Sequence, residues 1–66
     1  MPGHMAPGHA RPPADRRGRA WDRWCYEMVR VRGYAARYVA ERAGEPECRV
    51  IRAVMREEAR PRAFYA

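Results

Sequence analysis

The residues able to do chemistry are few, and their spacing narrows what they can do. Cys25 and Cys48 belong to no CxxC pair and have no His or Cys at zinc spacing. They therefore read as buried thiols rather than as metal ligands, and only a break near Gly33 would fold them together. His4 and His9 fall in a short PGH repeat. With Met1 removed, the amine, two backbone nitrogens and the His4 imidazole would form a chelator for Cu(II) or Ni(II). Any chain with a third-position histidine offers those ligands, so both histidines are taken as tail residues. There is no serine or threonine, and no histidine beyond residue 9. Neither cysteine then has an imidazole base, and no serine or threonine hydroxyl is present to act as nucleophile. The acids fall on surface-like positions. The expectation is a protein that is not an enzyme and holds neither metal nor cofactor.

The arginines carry more information. The chain has 14 basic residues, all arginine, against 8 acids, a net charge of +6 and an isoelectric point near 10.4. Such a balance points to a polyanionic partner, nucleic acid first and an acidic membrane surface second. The guanidinium is a flat fork that meets phosphates or guanine edges with two parallel hydrogen bonds, where lysine offers a point charge. A GC-rich coding sequence accounts equally well for arginine over lysine, but not for the net charge. Leu, Ser, Thr, Asn, Gln and Lys are all absent, a mark of extreme bias or of engineering. No amide side chain is available to read adenine. Arg49, Arg52 and Arg56 recur at i, i+3 and i+7, which places them on one side of a helix. A helix with that face fits the major groove of a duplex.

The elements that must position these arginines follow from the apolar pattern. At 66 residues the chain holds one domain, small enough to gain from a partner. Residues 1–19 contain Pro2, Pro7, Pro12 and Pro13 with little to bury, and read as a disordered basic arm; GHM at 3–5 has the look of a cloning remnant. From Ala20 the pattern turns helical. Trp21, Trp24, Cys25, Met28 and Val31 form one stripe, interrupted at Gly33. Ala35, Tyr38, Val39 and Ala43 form a second, with Gly44 as its stop. Pro46 opens a third helix with Val50, Ala53 and Val54 on its inner side, ending before Pro61. The expected fold is all-α: three helices over residues 20–60, between the arm and a tail at 61–66. No apolar run approaches the ~20 residues of a membrane span, and no secretory leader is evident, so a cytoplasmic location without membrane is expected.

Within this frame the run RGYAARYVAERAGEPECRVIRAVMREE resembles the helix-turn-helix of bacterial repressors, resolvases and transposases. The matching positions are Val39, Ala40, Gly44 and Val50, with Ala43 before the glycine and Ala53 after the valine. The resemblance gives Ala40 a close crossing of the second and third helices, Gly44 a turn at positive φ, and Val50 and Ala53 the anchoring of the third helix. It implies binding of double-stranded DNA through Arg49, Arg52 and Arg56. The protein would then be a small transcriptional regulator or a phage or mobile-element accessory factor. The chain departs from the pattern at Glu45, where the family places an apolar residue that packs inward. It departs again at Pro46 and Glu47, which replace the usual Ser or Thr cap.

Arg16, Arg17 and Arg19 precede the first helix, where homeodomains and Hin-type recombinases carry an arm that enters the minor groove. With Arg11 and Asp15 the arm carries +3, half of the total. One copy offers few base contacts, so a homodimer on a two-part site is expected. Trp21, Trp24, Tyr26, Tyr34, Tyr38, Phe64 and Tyr65 could stack on unpaired bases, but Trp21 and Trp24 at helical spacing are core positions. The competing architecture is an interaction module that does not bind nucleic acid. In it Gly33 is tolerated, helices one and two fuse, and a long hairpin dimerises with Ile51 and Met55 at the interface.

Overall fold

The computed structural model describes residues 11–61; His4, His9, Phe64 and Tyr65 lie outside them. Three helical stretches and no strand occur among the described residues, so the fold is all-α. Helix α1 (Arg19–Tyr26) continues without a break into a π-helical segment (Glu27–Val31). Helices α2 (Ala36–Ala43) and α3 (Glu47–Ala59) follow. No helix here is long and apolar enough to cross a membrane.

The apolar stripes meet in one core of Trp21, Trp24, Cys25, Met28, Val39, Ala40, Ala43, Val50, Ala53 and Val54. The two indoles stack with centroids 5.6 Å apart, and α3 lies against both other helices. Three stripe positions fall elsewhere. Ala35 is exposed at the N-cap of α2. Val31 is 60 % exposed, because the wider π turn unwinds the helix and carries it out of line with Met28. Tyr38 also lies outside, its ring 5.0 Å from that of Tyr34.

Both glycine turns adopt left-handed backbone, with φ of 82° at Gly33 and 68° at Gly44. At Gly33 the helix therefore ends, and α1 and α2 do not fuse into the arm of a hairpin. At Gly44 the N–H of Glu45 donates to the Ala40 carbonyl at 3.0 Å and that of Gly44 to Glu41 at 3.2 Å. This pair of bonds closes α2 and turns the chain sharply into Pro46. A Cβ on Gly44 would meet nothing within 4 Å, so the cost of a side chain there is backbone strain alone. Gly44→Ala is expected to cost about 1 kcal/mol, read from the denaturant midpoint with the slope unchanged. A loss no larger than that of a surface alanine would show the turn to be slack.

Pro46 stands just before α3 rather than in its first turn, and Glu47 supplies an acid beside the free N–H groups. The helix ends at Ala59, where Arg60 turns extended ahead of Pro61.

Candidate nucleic-acid interface

Helix α3 has three sides. Val50, Ala53 and Val54 face the core, with Val50 and Ala53 fully buried. Ile51 and Met55 occupy a second side. Arg49, Arg52 and Arg56 share the third with Cys48, and together with Pro46 they line an open depression of about 280 Å³. From Cys48 to Arg56 this face runs along about 12 Å of the helix axis.

Two of the three arginines are held in place. Arg56 presents its Nε–Nη2 edge to Asp22, with Nε 3.1 Å from Oδ2 and Nη2 2.8 Å from Oδ1. The same carboxylate accepts from Arg60 Nη2 at 2.6 Å. Asp22 lies in the first turn of α1 and is only 1 % exposed, which corrects the expectation that the acids sit on surface-like positions. Burial by itself would raise its pKa. The hydrogen bonds and charges of Arg56 and Arg60 outweigh it and hold the carboxyl below its ordinary 3.8. Arg49 Nε pairs with Glu45 at 3.2 Å. Arg52 carries no such carboxylate partner among the described residues. Both held arginines remain open to solvent, with side chains 46 % (Arg49) and 49 % (Arg56) exposed.

The arm reading needs correction at Arg16 and Arg19. Arg19 is the first residue of α1. Arg16 is docked on the domain rather than loose: Nη2 donates to the Ala43 carbonyl at 3.0 Å, Nε pairs with Glu45 at 3.3 Å, and Nη1 donates to the Pro13 carbonyl. Its guanidinium also lies 5.5 Å from the Trp21 ring centroid. Glu45, out of place in the family pattern, is thus the partner that receives Arg16 from one side and Arg49 from the other. Arg17 remains exposed, and its backbone N–H donates to the Asp15 carboxylate at 2.9 Å. Through Glu45 and Asp22, residues 16–22 are tied to the arginine side of α3.

A divided outcome follows for the arm. Arg16→Ala loses a half-buried cation, a carbonyl bond and the ring contact, and is expected to lower stability by about 1–2 kcal/mol. Arg17→Ala should leave stability within about 0.5 kcal/mol. Thermal melts of both variants check this, and equal melts would undo the docking of Arg16.

The four residues singled out for the turn stand as follows: Ala40, Val50 and Ala53 are buried, and Gly44 is left-handed. Cys25 is buried, and burial, aided by the neighbouring Asp22 charge, pushes its thiol up to about 12, so it stays protonated and inert. Cys48 is exposed rather than buried, because it falls on the arginine side of α3. Among the described residues no group of three His, Cys, Asp or Glu side chains could hold a metal ion. Comparison with protein-family models, curated proteins and solved structures finds no match to this chain.

Proposed function

We propose that this chain is a small double-stranded-DNA-binding domain that lays α3 in the major groove, with helices α2 and α3 acting as a helix-turn-helix unit. The observation that carries the reading is the convergence of Arg49, Arg52 and Arg56 on one open depression, on the side of α3 turned away from the core. Carboxylates steady the outer two, which reduces the side-chain entropy lost when they grip a phosphate or a guanine edge. Arg52 lies between them in sequence and is the strongest candidate for direct contact. Arg17 and Arg19, on the tied segment, extend the positive border toward the flanking backbone.

With no Asn or Gln in the chain, base reading falls to arginine on guanine, and backbone contacts supply most of the affinity. A role as a small transcriptional regulator or as a mobile-element accessory factor fits such a module. The reading is tested by titrating labelled duplex across a range of salt. Contacts from Arg49, Arg52, Arg56 and Arg17 give a log–log slope of about −3 to −4, at roughly −0.9 per phosphate. No binding to any duplex at low salt would overturn it.

A further inference from the structure

The second exposed side of α3 is unlike the first. Ile51 (41 % exposed) and Met55 (60 %) project beside an open groove of about 340 Å³, lined by Val29, Ala36, Val54 and these two residues. A space of ~150 Å³ already lodges a benzene-sized group, so this one has room for a methionine side chain. The charged residues of its lining are Arg30 and Glu58, which face each other with Nε 2.5 Å from Oε2, both well exposed.

We infer that this groove is the self-association surface of the protein and that its occupant is a second copy of the chain. Charge favours that occupant. Each copy carries +6, so two copies repel across an arginine-rich surface. In this lining the charge cancels, one cation against one anion around an apolar floor. A two-fold interface must be its own complement, because residue i of one copy meets j of the other and j meets i. Here Met55 and Ile51 meet their counterparts, while Arg30 of each copy comes to Glu58 of the other. Ile51, Met55 and Glu58 recur at i, i+4 and i+7, on a different side of α3 from Arg49, Arg52 and Arg56. Pairing therefore leaves both arginine depressions open. The inference stands apart from the duplex reading, since the pairing needs no nucleic acid.

Sedimentation of the full chain without DNA tests it. Wild type is expected to dimerise reversibly, and Met55→Glu to weaken the dimer by at least about tenfold while keeping the helical spectrum. Arg30→Glu and Glu58→Arg each place like charges together and should be monomeric alone, yet form a mixed dimer when combined. That rescue cannot come from a pair within one chain. A wild type that stays monomeric at millimolar concentration overturns the inference and leaves the groove to a different partner. So does a Met55→Glu variant that dimerises as well as wild type, or a mixture of the two charge variants that stays monomeric.

Discussion

Asp22→Asn is expected to destabilise the domain by about 2 kcal/mol at neutral pH and to remove most of its acid sensitivity. The carboxylate is buried between helices and accepts hydrogen bonds from Arg56 and Arg60. Removing one partner of a buried ion pair costs about 3–5 kcal/mol. The guanidiniums here are half and one-third exposed, which reduces that figure through solvent screening. In a domain this small, ~2 kcal/mol lowers the melting temperature by roughly 10 °C. The pH dependence has a definite sign. The folded-state pKa is depressed, so the stabilisation is full above the ordinary value of 3.8 and is lost as the pH falls below it toward the folded pKa. Melts of wild type and variant from neutral to acid pH should therefore differ most at neutrality and converge in acid, where wild-type Asp22 is itself protonated. A gap that stays constant with pH would remove Asp22 as the charged tie between α1 and α3.

Arg52→Glu should leave the fold intact and reduce duplex affinity by about 10- to 100-fold at low salt. The side chain is exposed and has no carboxylate partner among the described residues, so the change in stability is expected to stay within about 0.5 kcal/mol. At the duplex the substitution removes a cation and adds an anion against phosphate, and the log–log salt slope should fall by about 1. Arg37→Glu makes the same change in net charge on α2, and serves to separate a local contact from the pull of the whole chain. Its effect should stay well below that of Arg52→Glu at moderate salt, where charges that do not touch the duplex are largely screened. Equal losses from both variants would mean that the chain holds DNA by net charge rather than through α3.

Much of this fold is legible in the residues because the signals are local. Trp21, Trp24, Cys25 and Met28 share a helical period, and Val50, Ala53 and Val54 share another. Gly44 and Pro46 punctuate the chain where a sharp turn requires them. Ion pairs between distant segments leave no such period. Asp22 lies between Trp21 and Trp24, at a position flanking the buried stripe, and an acid there implies a cation brought from elsewhere in the chain. Arg56 supplies it from 34 residues away. Likewise Glu45, in a turn position that the family fills with an apolar residue, needs a cation that no local period announces. Arg16 supplies it, and in doing so changes from arm to part of the folded domain. Val31 escaped its stripe because a π turn alters the helical period, which the composition of EMVRV does not announce.

The arginine side of α3 was legible as a spacing but not as a built surface. Three arginines at i, i+3 and i+7 describe a solvated face as readily as a binding one. The carboxylates behind Arg49 and Arg56, and the absence of one behind Arg52 among the described residues, distinguish the members of the set. The most direct test of α3 as the contact surface is a duplex titration of isotope-labelled protein followed residue by residue by NMR. The expected result is perturbation concentrated at Cys48, Arg49, Arg52 and Arg56, extending to Arg17 and Arg19, with Ile51 and Met55 little changed. Perturbation centred on the Ile51–Met55 groove, or none at low salt, would contradict it.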